Sequence, residues 1–316
     1  MTVLSRAKCL RGMAAAALVA PALSGVRVAA QTVPIRLGAA NNEPNAYAFF
    51  AKDAGFFDKV GLPVDISIMQ NGAAIGAAIA GGSLDIGMSS PFVFMNARRH
   101  GLPYTIIAPG ALYESTDPNG AMVVPASSTI RTAKELEGKT IAGITVGAMD
   151  ELAIRAWIDQ NGGDSKTVKV IEIPSSAMVD AMEQGRIGAA LLPEPQLTAA
   201  GSRVRQIGRG YDAIAKTLMI SVWFTTYTWA ENHPVEARKF ADAMSQTAVW
   251  AAANREKAAE ILEKWTKIKV PRIRTISAQH YDPALVQPIC DGALKYKMID
   301  TPMNAKDFFW SGKAPA

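Results

Sequence analysis

The chain has 316 residues, 49% hydrophobic and 19% charged, with 33 basic against 28 acidic side chains and a formal charge of +5. This composition excludes a disordered chain, and with only Cys9 and Cys290 it excludes a disulfide scaffold or a thiolate metal centre. His100, His233 and His280 share no ligand-type spacing, so no metal site and no cofactor is expected.

Residues 1–30 read as a secretory signal. Arg6, Lys8 and Arg11 precede an apolar stretch at residues 13–23, too short to span a bilayer, and Val28-Ala29-Ala30 supplies small residues ahead of Gln31. Cleavage is expected after Ala30, with the product in the periplasm. Losing the segment removes four bases, Arg27 being the fourth, and no acid; four taken from 33 leaves 29 against 28. Nucleic acid is therefore not an expected partner. The remainder, 316 residues less 30, is near the size at which one hydrophobic core divides into two.

From there short strand patterns alternate with helical ones, which predicts βαβ units and mainly parallel sheets. Ile35-Arg36-Leu37 forms the first strand, and Asn41-Asn42-Glu43-Pro44 opens a helix through about Lys52. Val64, Ile66 and Ile68 alternate as a strand, and Asn71-Gly72 starts an Ala-rich helix that stops at Gly81-Gly82. Leu84, Ile86 and Met88 form a third strand, then Ser90 and Pro91 cap and open a helix, and residues 104–108 close the first lobe. Asp117-Pro118-Asn119-Gly120 is a cluster of turn formers that marks the first crossover. A second series follows: strands at 122–124, 140–144, 168–173 and 189–192, with helices at 149–160 and 177–183. The apolar run 218–224 leads back. Beyond Pro234 two helical stripes, Phe240-Met244-Ala251 and Ala258-Ile261-Leu262-Trp265, have no strands of their own and are expected to cover the first lobe. The expected division is residues 31–112 plus 226–316 for a discontinuous first lobe and 113–225 for the second.

Four strand ends run into small or polar residues that also begin a helix: Asn41-Asn42, Asn71-Gly72, Ser89-Ser90 and Gly147-Ala148. In an open α/β sheet such points lie at the carboxyl ends of strands, where helix N-termini present free N–H groups to an anionic or carbonyl-bearing ligand. The same Asn and Ser residues also suit plain helix caps. Pro193-Glu194-Pro195 follows an apolar strand, so the Glu194 carboxylate, held by a stiff backbone, is a candidate acceptor for a ligand donor or else a structural cap. Tyr47, Tyr113, Trp223 and Phe224 are candidates for either pocket wall or core. No G-x-S-x-G, H-E-x-x-H or phosphate-loop pattern occurs, so no catalytic residue is expected.

Several segments together carry a family resemblance. Ala51-Lys52-Asp53-Ala54-Gly55-Phe56-Phe57, then Gly61-Leu62-Pro63-Val64, then Ala80-Gly81-Gly82-Ser83-Leu84-Asp85-Ile86-Gly87 resemble the first lobe of solute-binding proteins for nitrate, aliphatic sulfonates, taurine and thiamin precursors. Leu136-Glu137-Gly138-Lys139-Thr140-Ile141, and Gly185-Arg186-Ile187-Gly188-Ala189 followed by Pro193-Glu194-Pro195, resemble its second lobe, with Gly188 where the family often has Asp. The resemblance implies a two-lobed periplasmic-binding-protein-like α/β fold, each lobe a mainly parallel sheet flanked by helices, joined by a two-strand hinge. It further implies a monomer that closes on a small-molecule ligand and delivers it to an ABC permease and ATPase. Its ligand loops fall on Asn41, Asn42, Asn71, Gly72, Ser89, Ser90, Gly147, Ala148 and Glu194. Two other readings share the fold: a pyrimidine synthase of thiamin biosynthesis, whose cysteine-rich iron motif has no counterpart here, and a sensor that presents ligand to a membrane kinase or chemoreceptor.

Overall fold

The computed structural model describes residues 34–312. The signal-like segment and the cleavage expected after Ala30 lie outside the described residues. The first strand, β1 (Ile35–Ala40), is buried at every position but Arg36, as suits a strand covered on both faces. The helix expected after it starts as a 3-10 turn at Glu43–Asn45, where the Asn42 side chain accepts the Asn45 amide, and continues as α1 (Tyr47–Asp53) and α2 (Phe56–Lys59). Then come β2 (Val64–Met69), α3 (Gly72–Ala80), β3 (Ile86–Ser89), α4 (Pro91–Arg99) and β4 (Tyr104–Pro109). Asn71 caps α3 by accepting the Ala74 amide, and Pro91 sits in the first turn of α4, where its missing N–H costs nothing.

After β5 (Ala111–Glu114) the chain builds a second set: β6 (Gly120–Pro125), β7 (Thr140–Gly143), α5 (Met149–Gln160), β8 (Lys169–Glu172), α6 (Ser175–Glu183), β9 (Ala189–Pro193), α7 (Gln196–Ala200) and β10 (Val204–Gly208). It returns through β11 (Thr217–Met219) and β12 (Val222–Thr226), and ends with α8 (Tyr227–Asn232), α9 (Pro234–Ala253), α10 (Arg255–Thr266), β13 (Ile276–Ser277) and α11 (Gln287–Lys295). Among the described residues no helix is long and apolar enough to cross a membrane.

The two five-stranded sheets share one wiring. The first has the order β2-β1-β3-β12-β4 and the second, read from its other edge, β8-β7-β9-β6-β10. In the first, β12 runs antiparallel to β3 and β4 while β1, β2 and β3 are parallel. In the second, β6 runs antiparallel to β9 and β10 while β7, β8 and β9 are parallel. The odd strand in each sheet is the one the chain lays down on arriving from the other. A third, small sheet, β11-β5-β13, contains both crossovers.

One expected boundary is corrected. Residues 222–225 belong by pairing to the first sheet, not to the second half of the chain, because alternate side chains of β12 fill both of that sheet's faces. Trp223 joins the cluster formed with Phe49, Phe50 and Phe240 under α1 and α9, and Val222 and Phe224 join Phe92, Phe94 and Ile289 under α4 and α11. Stacking of Phe49 on Trp265, with centroids 4.6 Å apart, ties α10 to the same face. The second sheet is covered by α5 through Ile154, Trp157 and Ile158 on one face, and by α6 and α7 through Met178, Met182 and Leu197 on the other. Tyr47, Tyr113, Trp223 and Phe224 are all within these cores at 0–1% exposure, so none is a pocket wall.

Candidate ligand-binding site

The carboxyl ends of β1 and β3 face those of β7 and β9 across a pocket of ≈ 740 Å³, including space open to solvent, lined from both sheets. The first turns of α3, α4 and α5 all contribute to its wall through Gly72, Ser90, Ala148 and Met149. First-turn amides have no acceptor within their own helix, so three positive helix ends converge on one space. Ser89 ends β3 among them. It is 5% exposed, and its Oγ is buried with no hydrogen-bond partner. Gly72 permits this approach: a Cβ at that position would lie 2.0 Å from Ser89 Oγ.

Of the residues expected to bind ligand, Asn42, Asn71, Gly72, Ser89, Ser90 and Ala148 line the pocket, while Asn41, Gly147 and Glu194 do not. Those three instead take part in contacts that join the two halves. The Asn41 carbonyl accepts from Gln196 Nε2 at 3.4 Å, the Gly147 carbonyl accepts from Asn96 Nδ2 at 3.0 Å, and the Glu194 carbonyl accepts from the Glu43 amide at 3.2 Å. Asn71 combines two tasks, since its Oδ1 caps α3 and its Nδ2 donates to Glu172 Oε1 at 2.8 Å from the opposite side. The chain is thus drawn closed around the pocket.

Glu194, expected as a ligand acceptor or else a structural cap, has the partners of a cap. Its carboxylate, at 1% exposure, accepts from the Thr198 amide and hydroxyl at 2.9 and 3.0 Å and pairs with Arg274 at 3.2 Å. The stiff backbone that the two prolines suggest is there, but it turns the carboxylate onto the first turn of α7.

The acid that does line the pocket is Asp150, in the first turn of α5. Its Oδ1 accepts the Tyr211 hydroxyl at 2.7 Å and its Oδ2 the Ile144 amide at 2.8 Å. Burial pushes its carboxyl above the usual range, and those hydrogen bonds oppose the shift without cancelling it. Among the described residues no Lys, Arg or His lines the pocket, so Asp150 is the single carboxyl or basic group found in its wall. Asn119 and Tyr211 also belong to the wall. Sequence reasoning missed all three, because an Asp in a helix's first turn and an Asn in a turn cluster are the ordinary structural uses of those residues. Among the described residues no group of three or more His, Cys, Asp or Glu side chains could hold a metal.

Residues 43–258 match the family model described as NMT1/THI5 like. The chain belongs to the NMT1/THI5-like family. Solved structures similar to this family member include the alkanesulfonate-binding protein SsuA of Xanthomonas axonopodis pv. citri bound to MOPS, at a TM-score of 0.75 and 14% identity, covering 89% of this chain and 99% of that one. The periplasmic aliphatic sulphonate binding protein SsuA of Escherichia coli superposes at 0.70 with 17% identity, over 90% of this chain and 94% of its own. The periplasmic nitrate-binding protein NrtA of Synechocystis PCC 6803 superposes at 0.73 with 16% identity, over 87% and 84%. At such low identity the likeness speaks for the fold, and the fold of this NMT1/THI5-like protein is that of periplasmic solute-binding proteins.

Proposed function

We propose that the protein is the extracytoplasmic substrate-binding component of an ABC importer, exported by the segment at residues 1–30, and that it performs no chemistry on its ligand. The observation that carries this reading is the buried, unpartnered Ser89 hydroxyl where the N-termini of α3, α4 and α5 converge between the two sheets. Such a site suits a small organic solute, neutral or singly charged, whose carbonyl, carboxylate or sulfonate group meets the helix ends. A strongly hydrated dianion would lose its water there with no Lys or Arg to replace it. Binding proteins for sulfonates and nitrate among the similar structures support the same reading. Capture closes the second sheet and its helices onto the first about β5 and β11, and the closed form is the one presented to a permease and its ATPase.

The test is thermal unfolding over a panel of carboxylates, sulfonates, pyrimidines and inorganic anions. A true ligand at about 100 times its Kd adds about 2.7 kcal/mol to the folded state. Small-angle scattering at saturation should then show a smaller radius of gyration. If no solute in the panel raises the melting temperature, the binding-protein reading fails.

A further inference from the structure

Besides the donors around Ser89, the pocket wall carries two acceptors, the Asn119 Oδ1 and the Asp150 carboxylate. Asn119, at 3% exposure, uses its Nδ2 twice, donating to the Leu112 carbonyl at 3.1 Å and to Thr275 Oγ1 at 3.2 Å. Because the Leu112 carbonyl can only accept, the amide orientation is fixed, and Oδ1 is the atom left over. That Oδ1 is buried without a hydrogen-bond partner, on a residue that lines the pocket. Asp150 adds a carboxylate whose protein partners, Tyr211 and the Ile144 amide, are neutral donors, and among the described residues no cation lines the pocket with it. Neither a lone amide oxygen nor a carboxylate in such surroundings is satisfied by a ligand that brings only acceptors.

We propose that Asn119 and Asp150 are specificity-determining residues that read an amino group on the solute, so that the cognate ligand carries an N–H donor as well as an acid or carbonyl group. This rests on the pocket being the solute site proposed above. A cationic ammonium would gain most from Asp150, and a neutral ring amine would still supply hydrogens to both acceptors. Retention of two acceptors in a pocket with no basic side chain discriminates against amino-free analogues of the same size, since a buried polar group left unpaired costs more than a lost contact.

The experiment measures affinity by calorimetry for matched pairs that differ by one amino group: β-alanine with propionate, 2-aminoethanesulfonate with ethanesulfonate, and 4-aminopyrimidine with pyrimidine. The wild-type protein is expected to prefer the amino member of at least one pair by tenfold or more. Asp150→Asn and Asn119→Ala are each expected to reduce that ratio to threefold or less. A variant that is merely loosened weakens both members alike and leaves the ratio intact, which would overturn the assignment. Asn119→Ala keeps the test open if Asp150→Asn does not fold, and the wild-type ratio decides it without either variant. Binding of amino-free members as tightly as their partners would sink this inference while leaving the binding-protein reading in place. Failure of all six solutes to bind would overturn both.

Discussion

At the scale of single residues, Glu43 and Glu194 occupy the join between the halves at 1% exposure each, sharing the neighbourhood of Arg274. Glu43 Oε2 accepts the Arg274 and Thr275 amides at 3.0 and 2.7 Å. Its carboxyl is nevertheless raised above the ordinary value, by burial first, with the negative charge of Glu194 pushing the same way. A carboxyl raised in the folded state favours folding below its unfolded value and loses that contribution as pH climbs through the folded one. Glu43→Gln keeps a carbonyl oxygen for both amides but never ionises, so its melting temperature relative to wild type should rise as the pH climbs above the ordinary carboxylate range in scanning calorimetry. Two parallel curves would show that burial does not oppose the Glu43 charge. The site was half legible in the sequence: strand-to-helix junctions with Asn and Ser do mark the pocket wall. Which way a carboxylate turns was not, because Glu194 and Asp150 both stand at plausible positions and only their long-range partners, Arg274 and Tyr211, separate cap from pocket lining.

At the scale of elements, the hinge is tighter than its length suggests. Gly110, just before β5, lies so close to the residue before β12 that a Cβ would sit 2.4 Å from the Ser221 carbonyl oxygen. Ser221 Oγ in turn accepts the Ala111 amide at 2.9 Å. Gly110→Ala must push these backbones apart, at a cost of about 1–3 kcal/mol. Ser221→Ala strands a buried amide for about 1–3 kcal/mol. Urea unfolding measures both, and a Gly110→Ala midpoint equal to wild type would mean the crossovers yield freely. The long helices and central strands followed from periodicity and caps, α5 with the same limits as expected. β5, β11 and β13 did not, because strands of two to four residues hold no period and exist through partners more than a hundred positions away. The misplaced β12 has the same origin. Residues 218–224 are apolar but for Ser221, so little in the local pattern marks where the crossover stops and the first sheet resumes.

At the scale of the whole molecule, the two sides of the pocket are joined by direct bonds that need no solute, of which Asn71 to Glu172 is the shortest side-chain example among the described residues. Glu172→Ala removes that bond and leaves the Asn71 cap on α3 untouched. A bond of this kind contributes about 0.5–1.5 kcal/mol, so the open fraction of unliganded protein should rise about two- to tenfold. Small-angle scattering should report a larger radius of gyration before ligand is added and the wild-type radius at saturation. An unchanged unliganded radius would show that this bond does not bias closure. The shared wiring of the sheets carries a consequence for synthesis. When the chain has been made as far as β4, β3 and β4 have no strand between them, because β12 lies more than a hundred residues further on. Two open edges and both apolar faces of that sheet must wait, exposed to neighbours and chaperones, until the second half has been threaded through. The first sheet is thus kept from closing until the second has been made, so the two halves of the chain finish folding together.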